Sequence, residues 1–348
     1  MRLRRSLTVA AGLVATAALA LAGCSSSTST ADGAPSAAAT STSGATDSFP
    51  VTVESALGDV TIESEPQRVA TWGWGSTEAA IAVGVYPVAV AEQRYTVGEG
   101  ALLPWVEEAY DEAGVEHPTL LTDDGSGSQV PYEEFVAARP DLILAPYSGL
   151  SQEQYDLLSD IAPVVAYPEA PWATEWDQEI EIVAQALGRT QAGDEVLDGI
   201  RTFLSEQADA HPEFEGKTFA GIWDGDGSVS VYTPADPRVN ILEELGLRIA
   251  PAVSDLDTSD GGFYYDLPDE QLDKLQTDFV VSYSSTKEDA DAVLTAPELQ
   301  MIPAVKEGKV VQVYDPVTVS SVSPPTALTF TWEGGLPTLI ERISETVS

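Results

Sequence analysis

The sequence predicts an α/β fold of two Rossmann-like lobes with mostly parallel sheets, joined by one long helix, with a cleft between them. Three observations predict it. Residues 131–148, PYEEFVAARPDLILAPYS, and residues 268–284, PDEQLDKLQTDFVVSYS, hold register at an offset of 137 from Pro131/Pro268 to Asp141/Asp278. Each reads as a Pro-initiated helix, a short turn and an unbroken apolar strand of the kind buried in a parallel sheet. Upstream, TEAAIAVGVYPVAV (77–90) and NILEELGLRIAPAV (240–253) both read as a short helix ending at glycine and followed by a strand. Between the halves, Val196, Leu197, Ile200, Phe203 and Leu204 recur at helical spacing until Pro212 ends the pattern. A helix from Thr190 to His211 would run about 33 Å.

Taken from the start, Arg2, Arg4 and Arg5 precede an apolar run, Leu7 to Leu21, too short and Ala-rich for a membrane span. Residues 1–23 therefore read as a signal peptide. Cys24, the single cysteine, closes LAGC, which resembles the bacterial lipobox and implies cleavage before Cys24 and lipid on its thiol. One cysteine excludes a disulfide framework. Residues 24–48 comprise Cys24 and then, over 25–48, mostly Ser, Thr, Ala and Gly in low-complexity order, too poor in apolar surface to fold, which reads as a flexible tether. As a random coil it spans about 27 Å.

The N-terminal lobe then covers 49–189, the interdomain helix 190–214 and the C-terminal lobe 215–348. Without the three leader arginines, 13 basic residues face 56 acidic ones, a formal charge of −43. The acids are scattered, as on a solvated surface. Nucleic acid is excluded as a partner, since phosphate binding needs clustered Lys and Arg. A strongly anionic ligand is disfavoured unless a local basic pocket overrides the field.

The loop Trp72-Gly-Trp74-Gly-Ser76 follows an apolar strand-like run and opens a helix. A phosphate loop needs a lysine where Ser76-Thr77-Glu78 stands. A nucleophile elbow needs G-x-S-x-G, which neither GWGST nor GSGSQ (125–129) supplies. Two histidines, His117 and His211, offer poor material for a triad or a zinc site, and no resident metal or cofactor is expected. DGDGS (224–228) lacks a calcium loop's glycine and glutamate and reads as a hairpin turn. Ligands of α/β sheets sit beyond the carboxyl ends of strands. Trp74 and Trp72 stand at such an end, with core packing the alternative for either indole. Arg94, Tyr147, Trp223, Tyr264, Tyr265 and Tyr283 fall at equivalent ends, with core packing or, for Arg94, a salt bridge to Glu92 or Glu99 as the alternative. Aromatic faces with few charges suit a bulky, partly apolar chelate.

The lipobox, the tether, PxRVA (Pro66–Ala70), ARPDLILA, IAPVVAY and the single connecting helix together resemble the substrate-binding lipoproteins of ABC importers, in the branch serving iron-siderophores, haem and vitamin B12. The resemblance covers the chain from about Pro50 onward. It implies a non-catalytic, monomeric protein on the outer face of the cytoplasmic membrane, anchored through Cys24, that delivers a ferric siderophore to an ABC permease. It also implies that Arg94 donates to the iron-chelating oxygens and that Glu78 and Glu243, with Glu244 as substitute, dock on the permease. A hydroxamate chelate is favoured. A ferric catecholate, for which Lys287 would be a second cation, haem and cobalamin stay open, as does a lipid-anchored α/β enzyme.

Overall fold

A computed structural model describes residues 45–123, 129–225 and 228–348. The signal peptide, Cys24 and most of the tether lie outside the described residues, as do parts of the GSGSQ and DGDGS segments. Among the described residues no helix is long and apolar enough to cross a membrane.

The first lobe is a five-stranded parallel sheet in the order Thr119–Leu121, Ala89–Ala91, Val69–Thr71, Leu142–Leu144, Val164–Val165. Its first strand is central, with Ala70 facing Ala89 on one side and Ile143 on the other. Chain direction of travel reverses there, so a crevice opens beyond the carboxyl ends of Val69–Thr71 and Leu142–Leu144. The strands Val69–Thr71, Ala89–Ala91 and Leu142–Leu144 are each three residues of unbroken burial, as expected of a sheet covered on both faces.

The second lobe has six strands. Its parallel part joins Arg248–Ile249, Thr218–Gly225, Phe279–Ser284 and Val310–Tyr314. Ser228–Tyr232 and Tyr264–Leu267 add to it antiparallel. Gly225 pairs with Ser228, so the two strands flanking DGDGS form an antiparallel pair that closes there. The repeat holds in both lobes, with one difference. Pro131 leads into an α-helix, Tyr132–Ala138, whereas Pro268 leads into a 3-10 helix, Asp269–Lys274.

The linking helix runs Thr190–Ala210 and buries Gly193, Leu197, Ile200 and Leu204 against the helix Trp176–Ala186. The two lobes also share one continuous apolar core. It runs from Val69 and Ile180 through Leu197 to Phe219, Phe330 and Leu336. Trp176 meets Phe330 at 4.8 Å between ring centroids. The chain crosses once between the sheets, yet the segment after Pro316–Ser321 returns to pack on the first lobe.

Candidate functional site

Trp72 and Trp74 part company because Trp72 still follows the strand. Its N–H bonds the Leu144 carbonyl at 2.9 Å, one step beyond the ladder, and this turns the indole into the core. The ring is 1% exposed and edge-on to Phe135. Gly73 and Gly75 then take positive φ, 92° and 78°, and swing Trp74 out. Trp74 N–H bonds the Tyr147 carbonyl at 3.1 Å, which ties together the two loops flanking the crevice. Its indole N–H donates across to the Pro324 carbonyl at 3.2 Å.

Two adjoining chambers meet at Trp74, Arg238 and Ser323. The larger, about 380 Å³, adds Gln93, Tyr95 and Thr96 from the first lobe and Trp223, Tyr232 and Ser320 from the second. The smaller, about 230 Å³, adds Tyr147 and Trp172 from the first and Asp236 and Phe263 from the second. Both open beyond the carboxyl ends of the central strands.

Arg238 lies in the first turn of the helix Pro237–Glu244, where the macrodipole opposes a cation. Asp236, the N-cap, offsets this by accepting Arg238 N–H at 2.9 Å and Nε–H at 2.7 Å. The guanidinium lies 3.9 Å above the Tyr232 ring and 5.5 Å from that of Tyr283. Burial acts to lower the Arg238 pKa, but Asp236 and the surrounding phenols outweigh it, and the side chain stays charged. Burial lifts Asp236 above the usual carboxylate range, with Arg238 opposing. This pair supplies the only charged side chains lining the chambers among the described residues, so the cleft is locally neutral.

The structure brings together Trp74, Tyr147 and Trp223 of the expected residues. The others lie elsewhere. Arg94 turns back on its own loop, with Nε 2.5 Å from Glu92 and a terminal nitrogen 3.6 Å from Glu99. Tyr283 is fully buried beneath Arg238, within the shared core. Tyr265 is buried with its hydroxyl on the Val253 carbonyl, because alternation along Tyr264–Leu267 sends it inward and Tyr264 out to solvent. Tyr264 stacks near Phe263 without lining either chamber. Glu78 is 2% exposed, since its helix turns that face against Trp105, whose indole N–H donates to it at 2.9 Å. Glu243 is exposed. Lys287 is held on the surface by Asp291 at 2.7 Å.

Sequence reasoning missed Arg238, Asp236, Trp172 and Phe263. An arginine placed directly after Asp-Pro, against a helix dipole, in a chain so short of cations, was the available signal. Trp172 and Phe263 lie in loops with no periodic cue. Trp172 adopts φ 57°, and its indole lies so near Gly149 that a Cβ there would sit 2.3 Å from Nε1. Among the described residues no group of three His, Cys, Asp or Glu is placed to hold a metal.

A family model described as "Periplasmic binding protein" matches residues 69–316. The crystal structure of Streptococcus pneumoniae TIGR4 PiaA in complex with ferrichrome superposes with a TM-score of 0.76 at 30% identity, over 85% of this chain and 98% of that one. The achromobactin-binding periplasmic protein of Dickeya dadantii is 28% identical over 211 residues, 54% of this chain but only 60% of that relative's length. A putative ABC transporter substrate-binding lipoprotein of Bacillus subtilis, YhfQ, is 24% identical over 249 residues, 70% of this chain and 72% of its own.

Proposed function

Because the chain belongs to the periplasmic binding protein family, we propose that it captures a ferric siderophore in the cleft between its lobes and passes it to an ABC permease. The observation that carries this reading is the locally neutral, aromatic-walled cleft with Arg238 at the junction of its chambers. An iron chelate presents a cluster of electron-rich oxygens on an organic frame. The Arg238 fork donates to the oxygens, while Trp74, Tyr147, Trp172, Trp223 and Phe263 cover the frame.

Charge selects among chelates. A triply anionic catecholate would bring uncompensated charge into a cleft whose one cation is already paired, within a protein of formal charge −43 after leader removal. A neutral ferric hydroxamate meets no such cost, and PiaA, similar over nearly its whole length, holds ferrichrome. Hydroxamate is therefore the preferred class. In this reading Cys24 carries the lipid anchor that keeps the protein at the outer face of the cytoplasmic membrane. The exposed Glu243 is the acidic contact offered to the permease; a buried Glu78 does not fit that role.

The test is quenching of tryptophan fluorescence in the whole chain by ferrichrome, its iron-free form, a ferric catecholate, haem and cobalamin. Ferrichrome is expected to quench saturably at submicromolar concentration. Arg238→Gln should weaken it about 10- to 100-fold, the range for losing a hydrogen bond to a charged group. Arg94→Ala, whose guanidinium is already held by Glu92, should leave affinity unchanged. Flat titrations with every ligand would overturn the reading.

A further inference from the structure

Beneath the Trp74 loop lie two buried carboxyl groups that the cleft does not use. Glu179, from the helix Trp176–Ala186, accepts from Ser76 Oγ at 3.0 Å. It presses so close to Gly75 that a Cβ there would sit 2.3 Å from Oε2. Glu78, on the same first turn as Ser76, accepts from the Trp105 indole N–H at 2.9 Å and lies beside Thr326 of the returning C-terminal segment. Trp105 in turn packs edge-on to Trp332, 5.2 Å away, and Trp74 donates to Pro324. The two acids thus sit where the Trp74 loop, the first lobe and the C-terminal segment converge.

Among the described residues no basic side chain pairs with either of them. The groups facing the pair are Ser76 from its own helix, Trp105 from Pro104–Ala113 and Thr326 from the second lobe. Tyr147 lies beyond at the strand end and senses Glu179 together with Glu175, Asp236 and Arg238. Two ionised carboxylates without a cation cannot both persist in so dry a place, and one proton relieves the conflict.

We infer that Glu78 and Glu179, buried on either side of Ser76 without a cation, together retain a proton beneath the cleft floor and position the Trp74 loop against the second lobe, so that ligand affinity follows pH. The inference rests on the binding role proposed above. Burial raises both groups, Glu179 well above the ordinary carboxylate range, with Glu78 adding to that rise. A raised acid favours the packed arrangement fully below the usual carboxylate pKa. That preference is lost as pH climbs through the raised value, when the second proton leaves. Loosening the contact admits water to the pair, so deprotonation favours the loosened form, and a ligand spanning both lobes binds the packed one.

The experiment follows the whole chain from about pH 5.5 to about pH 9. Ligand-free tryptophan fluorescence reports the Trp74–Trp105–Trp332 cluster, and ferrichrome titrations report affinity. In the wild type a ligand-free transition and an affinity falling about tenfold toward high pH are expected, the equivalent of one unit of pKa difference between the two arrangements. Glu179→Gln should flatten both profiles, and Glu78→Gln, an independent substitution, should do the same. A merely structural role would lower affinity at every pH and leave the slope unchanged, which overturns the inference. So would flat profiles in the wild type. A ligand-free transition lost in the variants, with no ferrichrome bound at any pH, would support the retained proton and overturn the binding role instead.

Discussion

Arg238 and Asp236 bear at once on folding and on the recognition proposed for the cleft. Asp236 is buried and Arg238 half-buried over Tyr232, joined through Nε at 2.7 Å, so removing the cation leaves a buried carboxylate without its partner. Arg238→Ala is expected to cost about 3–5 kcal/mol of stability, read as a lower urea midpoint with unchanged slope. Arg238→Lys should recover much of that stability, because it keeps the charge. It should still bind the chelate about tenfold more weakly than wild type, for want of a planar fork. Trp74 was legible in the sequence because glycines on both sides of an indole at a strand end have few other uses. Arg94 was legible only as a choice between the cleft and a bridge to Glu92 or Glu99, and the curl of the backbone that brings it onto Glu92 decided that choice. Trp72 against Trp74 turned on one further step of strand register, which short strands do not announce.

The helices were more legible than the residues on them. Apolar spacing located the linking helix to within one residue of its observed end, and the 137-residue repeat located the paired strands of both lobes. Glu78 was misread because the expectation assigned its helix an outward face without seeing Trp105 and Thr326, which arrive from elsewhere in the chain. Helix packing also yields a prediction. Gly193 lets Thr190–Ala210 lie so close to Trp176–Ala186 that a Cβ would stand 2.5 Å from that of Ala184. Gly193→Val should therefore cost about 1–3 kcal/mol through overpacking. It should lower Tm by roughly 2–10 °C, read by differential scanning calorimetry, with ferrichrome affinity unchanged because the cleft lies elsewhere.

Across the whole molecule, charge separates stability from binding. With 56 acids and 16 basic residues in the full sequence, the folded chain repels itself at low ionic strength. Raising salt from about 0.01 M to about 0.3 M shortens the Debye length from about 30 Å to under about 8 Å and should raise Tm. Over the same range ferrichrome affinity should change less than about twofold, since the cleft and the ligand are each neutral. A ferric catecholate that bound at all would bind better as salt rose. A strong salt dependence for ferrichrome itself would mean that cleft charge is not confined to the Arg238–Asp236 pair.

The returning segment sets an order of assembly. Synthesis delivers the N-terminal end first, so the first sheet and the helix Trp176–Ala186 are complete long before residues 316–335 emerge. Until then Trp105 lacks Trp332, Glu78 lacks Thr326 and Trp176 lacks Phe330. A half-made chain therefore shows an oily, acidic scar on an otherwise finished half, a mark by which chaperones and proteases can tell an interrupted molecule from a whole one. The last stretch to arrive seals the first part to fold.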